Sequence, residues 1–282
     1  MLKQRVITAI ALLALFIPVL WAPHPAPFLG FVAIAIGLAA WEWARLNGFG
    51  GLSALAFGFS ALVLLGLGHR YMPVVPVWLW LTVLAGWALG GALALRQASR
   101  GWIKLSGSLR LVLGLLVLIP AGLAFLGWKA LGLNALLSAL CLVWIADVAA
   151  YFGGRRFGRR KLAPAISPGK SWEGVWSGVL GVLLLAVLWV QLVDVQPWVD
   201  GPSLYGRLVG GLGWPLTVLV LLLLAALSVV GDLFESLVKR AAGAKDSSQL
   251  LPGHGGILDR IDALLPVLPA ALAFVALAKV MV

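Results

Sequence analysis

The chain has 282 residues, 62% of them hydrophobic and 11% charged, with a formal net charge of +11. Soluble domains carry about 25% charged residues, so a water-soluble globule is excluded. The basic residues fall at the ends of apolar runs rather than on one face of a soluble fold, which excludes nucleic acid as a partner. The single cysteine, Cys141, lies inside an apolar run, which excludes a disulfide framework or a cysteine-based metal site.

Apolar runs long enough to cross the hydrocarbon of a bilayer recur near residues 5–21, 27–44, 51–68, 74–95, 109–127, 131–151, 174–193, 213–235 and 261–280. The first run, with Lys3 and Arg5 ahead of it, imitates a signal peptide. No small-residue cleavage site precedes Pro23, so it reads as a retained span. Proline and glycine mark the joints at Pro23, Pro25 and Pro27, at Gly48, Gly50 and Gly51, and at Pro73 and Pro76. Trp21, Trp78, Trp102, Trp128, Trp198 and Trp214 sit near span ends, where an amphipathic ring favours the headgroup layer. The expectation is an all-α polytopic membrane protein of about nine transmembrane helices, with eight or ten as alternatives because the third and fifth runs are short or glycine-rich. It forms a single membrane-embedded domain over 1–282, with N-terminal spans over 1–130 and C-terminal spans over 131–282.

Orientation follows the bias of Lys and Arg. With the N-terminus in the cytoplasm and the C-terminus external, 17 of these residues fall inside and 4 outside, out of 21. Eight of the ten acidic residues fall on or near the same cytoplasmic side. An orientation signal does not require acids, so that side is expected to hold a site of mixed charge.

Two loops carry the chemistry. In the first, 147–174, Asp147 and Tyr151 are four apart and share a helix face. Gly153 and Gly154 are expected to end that helix. Arg155, Arg156, Arg159, Arg160 and Lys161 read as an anchor against anionic lipid. Pro168 and Gly169 then shape a turn that presents Lys170 and Ser171 before a helix whose free N–H groups face the same point. The segment lacks Walker A spacing, so it is not a P-loop.

In the second loop, 232–262, Asp232, Ser236, Lys239 and Arg240 form one stripe of a helix leaving the membrane. Glu235 and Lys239 are spaced as an i,i+4 pair, the structural alternative for that lysine. Lys245 and Asp246 follow, then Gly253, His254, Gly255 and Gly256, whose glycines let backbone N–H groups approach anionic oxygens. Asp259 and Asp262, with Arg260 between them, share a face where the last span begins. Carboxylates in a basic setting are the usual means of holding Mg²⁺ against substrate phosphates. The residues therefore point to a metal-dependent phosphoryl or nucleotidyl site. A transporter would place charge near mid-span and often shows internal repeats, and neither is evident.

The stretch Ser236-Leu-Val-Lys239-Arg240, Lys245-Asp246, then Leu251-Pro252-Gly253-His254-Gly255-Gly256-Ile257-Leu258-Asp259-Arg260-Ile261-Asp262 resembles the signature of phosphatidate cytidylyltransferases, or CDP-diacylglycerol synthases. Asp147, Tyr151, Gly154-Arg155, Phe157-Gly158, Ser167-Pro168, Lys170-Ser171 and Glu173-Gly174 resemble the family's second block. Ser171 stands where many members have Thr, and the hydroxyl is kept.

The resemblance implies transfer of cytidylyl from CTP to phosphatidate, giving CDP-diacylglycerol and diphosphate, with Mg²⁺ and room for a second cation. It implies a multi-pass plasma (inner) membrane protein whose site faces the cytoplasm. On this reading Asp246, Asp259, Asp262, Asp232 and Asp147 are the candidate metal ligands. Lys239, Arg240, Lys245 and Arg260 hold the triphosphate or the lipid headgroup, and Lys170, Ser171, Ser236, Gly255 and Gly256 complete the substrate contacts. His254 donates to a phosphate or orders the glycine turn. The partners are CTP, phosphatidate and membrane lipid, and a homodimer is allowed. A CTP-dependent lipid or polyisoprenol kinase is the alternative enzyme, with a polytopic transporter behind it.

Overall fold

The computed structural model describes residues 2–280; Met1, Met281 and Val282, together with the side chains of Lys3 and Arg5 that entered the charge count, lie outside the described residues. Helices α1 (Leu2–Trp21), α2 (Pro25–Leu46) and α3 (Gly51–Tyr71) come first. Next, α4 (Val77–Ala85) runs through a π-helical turn at Gly86–Gly91 into α5 (Ala92–Lys104). Then come α6 (Gly107–Leu131) and α7 (Leu133–Phe157), followed by a small antiparallel hairpin of β1 (Lys161–Ala163) and β2 (Ser167–Ser171). The chain ends with α8 (Trp172–Leu188) and its π-helical extension Trp189–Val193, α9 (Leu204–Ala241), the short α10 (Leu258–Ile261) and α11 (Leu264–Val280). Each of the nine expected apolar runs overlaps a helical segment, with non-helical residues at 74–76, 132 and 262–263. Among the described residues, eight segments are long and apolar enough to cross a membrane, while the apolar part of α1, Val6–Trp21, is shorter.

Serine sets three of the helix starts. Ser106, Ser171 and Ser203 accept from the backbone N–H groups of Leu109, Gly174 and Gly206 at 3.2, 3.2 and 3.0 Å, satisfying donors that the first turn leaves unpaired. α11 is apolar all round and forms the centre of the bundle, with every residue from Ala263 to Ala273 buried. α7 and α8 approach closely because small residues meet there. A Cβ on Gly174 or Gly178 would stand 2.8 Å from the carbonyl oxygens of Ala150 and Ala146.

Three local expectations are corrected. Gly153 and Gly154 do not end α7, which continues to Phe157; they let Ser177 and the Gly174 backbone come close instead. The turn at 167–171 is a β-strand paired with 161–163. Trp102 and Trp128 do not face lipid. They are buried, with indole N–H groups donating to Asn47 Oδ1 and Leu268 O at 3.0 Å each, so partners within the bundle replace the water an interface would supply.

The end of the bundle opposite the hairpin is closed by two carboxylates. Asp194 accepts from Asn134 Nδ2 at 2.8 Å and Ser203 Oγ at 2.7 Å. Asp200 accepts from the N–H groups of Leu133 and Asn134 at the start of α7. Partial burial pushes the Asp200 carboxyl up, and those backbone donors outweigh it, leaving the group below the usual carboxylate range.

Candidate active site

A cavity of ≈ 510 Å³ opens between α7, β2, α8 and α9. α7 contributes Asp147 and Tyr151, β2 contributes Lys170 and Ser171, and α9 contributes Ser228 and Asp232. The close α7–α8 contact brings β2 to α7, and Lys170 then reaches α9, where its Nζ lies 2.6 Å from Asp232 Oδ2. Ser236, one turn on, donates to Asp232 Oδ1 at 3.3 Å. Ser171 lies against the same cavity, although its hydroxyl also caps α8.

The start of the last span reaches this group as well. Asp262 lies within electrostatic reach of Asp232, Asp147 and Lys170, and Arg260 within reach of Asp147. Gly231 permits the approach, since a Cβ there would stand 2.5 Å from the Asp262 carbonyl oxygen and 2.9 Å from Pro266. Acids and bases distant in sequence thus share one site, with α7, β2, α9 and the α10–α11 turn each contributing.

A second cluster lies beside the first and holds the glycine loop. Lys239 is largely buried, 2.5 Å from Glu235 Oε2 and 2.6 Å from Asp259 Oδ1. Asp259 Oδ2 accepts from Ser247 N at 2.8 Å, Ser247 Oγ at 2.7 Å and Gly256 N at 2.8 Å. Glu42, fully buried on α2, accepts from three donors of the same loop, Ser248 Oγ at 2.5 Å, Ile257 N at 3.0 Å and Leu258 N at 2.7 Å, with the Ser247 hydroxyl 3.2 Å away. A Cβ on Gly256 would collide with Glu42 and Ser247. Gly255 has φ 82°, a conformation that favours glycine, and accepts from Leu251 N at 2.8 Å to close a tight turn.

The remaining candidates divide between structure and solvent. His254 donates its backbone N–H to Leu251 O at 2.8 Å, while its Nδ1 is buried without a hydrogen-bond partner. Arg240 reaches the carbonyls of Ile166 and Ala244 at 3.4 and 3.2 Å, tying α9 to the hairpin. Lys245 and Asp246 are exposed, and the Asp246 Cβ stands 3.5 Å from where a Cβ on Gly255 would be.

The five carboxylates expected to hold metal therefore separate. Asp147 and Asp232 share a cavity with Lys170, and Asp262 lies within electrostatic reach of it; Asp259 is occupied with the glycine loop, and Asp246 sits at the rim of that loop. Among the described residues no three carboxylates, histidines or cysteines stand close enough to enclose a metal ion by themselves. This donor set still fits Mg²⁺, which keeps several waters and is held by one or two carboxylates plus substrate phosphates.

Glu42 and Ser247 were not anticipated. The signal for Glu42 was present, because it is the only acid before Asp147 and lies at the end of an apolar run. Its partners, some two hundred residues away, were not readable.

The chain matches the model of the cytidylyltransferase family over residues 3–278. It is 40% identical to the phosphatidate cytidylyltransferase of Pseudomonas aeruginosa over 272 residues, covering 95% of each chain. It is 37% identical to that of Haemophilus influenzae, covering 95% of this chain and 96% of the other. Against that of Brucella suis the identity is 36%, covering 93% and 89%.

Proposed function

The chain belongs to the cytidylyltransferase family, and from that premise we propose that it transfers the cytidylyl group of CTP to phosphatidate, releasing diphosphate and forming CDP-diacylglycerol. The observation that carries the reading is the cavity in which Asp147, Lys170 and Asp232 face one another, with Arg260 and Asp262 close by.

The reaction asks little covalent work of the protein. A phosphate monoester has its second pKa at about 6, so the lipid phosphate is already anionic at neutral pH and needs no general base. One of its oxygens bonds to the α-phosphorus of CTP as the bond from that phosphorus to the oxygen bridging to the β-phosphate breaks. Diphosphate leaves with that electron pair. Catalysis then rests on alignment and on neutralising charge where it accumulates.

Lys170 and Arg260 are the cations positioned to meet the phosphates. Lys170 is paired with Asp232, which holds its ammonium at the cavity where the phosphates would bind. Asp232, with Asp147 or Asp262, would hold Mg²⁺ together with the substrate phosphates. The ion supplies polarisation of phosphoryl oxygens and shielding of their charge. Lys239 has a different task here: enclosed by Glu235 and Asp259, it fixes α9 to the glycine loop and so holds that loop at the edge of the site. Asp246 and Lys245, exposed on the loop, are placed to meet solvent-borne nucleotide.

The site lies at the bundle end rich in Lys and Arg. By the charge bias this end faces the cytoplasm, with the protein in the inner membrane. CTP then arrives from water and phosphatidate from the surrounding leaflet. The test is purified protein in lipid with phosphatidate, Mg²⁺ and CTP labelled at the α-phosphate. Labelled lipid is expected. Transfer of label from the γ-phosphate instead would identify a lipid kinase and overturn the reading.

A further inference from the structure

A second cavity, of ≈ 420 Å³, lies away from the reaction site, between the π-helical turn at Gly86–Gly91, α5, α6 and α9. α9 separates the two. Asp232, Ser228 and Ala225 face the first cavity, whereas Phe234 and Leu237 face the second, on the opposite side of the helix. The lining is overwhelmingly apolar, and Gly86 and Gly90 leave room that side chains would otherwise take. Its floor is rigid. Phe234 packs edge-on against Trp87 and Trp102 at 5.4 Å, and Trp43 closes the cluster 5.7 Å from Trp102.

The chemistry at one end of this cavity differs sharply from its interior. Gln97, Gly101 and Leu105 line it, and the residue just before each is an exposed cation: Arg96, Arg100 and Lys104. Among the described residues none of these three has an ion pair, although acids are present elsewhere at the same bundle end. Arg110, which opens the next helix and accepts from Trp43 Nε1 through its carbonyl, has a buried Nε without a hydrogen-bond partner. The helix itself turns at Ala98, with φ 52°, so the basic segment is set at an angle to the apolar segment before it. An apolar cavity whose lining at one end alternates along the chain with exposed cations that lack an ion pair is complementary to one ligand class, an anionic amphiphile with a long hydrocarbon tail.

We infer that this cavity seats an acyl chain of an anionic phospholipid, whose phosphate rests among Arg96, Arg100 and Lys104. The ligand is bound lipid rather than substrate in reaction, since α9 stands between this chain and the carboxylates of the first cavity.

The experiment is native mass spectrometry of the purified full-length protein in detergent, titrated with phosphatidylglycerol or with phosphatidylcholine of identical acyl chains. Wild-type protein is expected to retain phosphatidylglycerol preferentially. Replacing Arg96, Arg100 and Lys104 together by Gln should weaken that retention by roughly tenfold or more, with phosphatidylcholine little changed. Gly90→Phe, which places a ring where the glycine now borders open space, should displace both lipids. Lys129→Ala, at the opposite end of the bundle, should leave retention unaltered. Equal retention of the two lipids by wild type, undiminished retention in Gly90→Phe, or loss on Lys129→Ala would each overturn the inference.

Discussion

Lys170 Nζ lies 2.6 Å from Asp232 Oδ2, joining the strand that precedes α8 to the inner flank of α9. This pair links the block that holds Lys170 to the helix leading into the other block that carries the family resemblance, and both partners face the same cavity. Lys170→Ala and Asp232→Asn are each expected to lower kcat by about 10²-fold or more, as loss of a group that meets developing charge does. Lys129→Ala, whose amine donates to Leu20 O at the other end of the bundle, should leave turnover unchanged. The measurement is label transfer from α-labelled CTP to lipid.

Removal of divalent cations should abolish turnover, and Mg²⁺ should restore it. With Asp147→Asn or Asp262→Asn, more Mg²⁺ should be required for half-maximal rate, because fewer carboxylates remain to hold it. An unchanged Mg²⁺ requirement in both variants would remove those residues from the ion's surroundings.

Glu42→Ala leaves three donors of the glycine loop, Ser248 Oγ, Ile257 N and Leu258 N, without their acceptor. Each stranded donor costs about 1–3 kcal/mol. A marked fall in the thermal midpoint of the purified protein is expected, with faster proteolysis near 248–256. Glu42→Gln retains an acceptor oxygen and should fall between the two.

Gly231→Ala adds a methyl group where the Asp262 carbonyl now stands 2.5 Å from the Cβ position. The backbone at the start of the last span must retreat, carrying Asp262 from Asp232. Turnover should drop by at least an order of magnitude while the protein remains membrane-inserted and α-helical by circular dichroism.

Asp200 offers a test by pH. Its carboxyl is depressed in the folded protein, so its contribution to stability is present above the unfolded value of about 3.9 and is lost as pH falls through the folded value. Asp200→Ala should cost about 1 kcal/mol at neutral pH, as loss of a helix cap does. The gap in thermal midpoint between wild type and variant should close on acidification below the carboxylate range, with activity at neutral pH unaffected.

Much of this was legible in the sequence because hydrocarbon imposes its own length on a helix. Every expected span overlaps a helical segment, and Asp147, Lys170 and Asp232 line one cavity although the sequence separates them. The sequence was less informative about what each charged group does. Spacing put Asp259 and Asp262 on one helix face, yet the helix breaks between Ile261 and Leu264 and the two carboxylates serve different neighbours. Trp102 and Trp128 stand at span ends in the chain but inside the bundle in space, because an indole N–H is satisfied equally by headgroup water or by a buried carbonyl or amide. Glu42 shows the same limit, since no local pattern names a partner two hundred residues away.

That long-distance brace has a consequence for biosynthesis. Glu42 is laid down in the second helix, whereas the N–H groups it receives belong to residues that leave the ribosome shortly before the final span. Throughout most of translation, therefore, the early helix waits in the bilayer with its carboxylate unclaimed, and the enzyme can acquire its working shape only when the last segment returns to meet it.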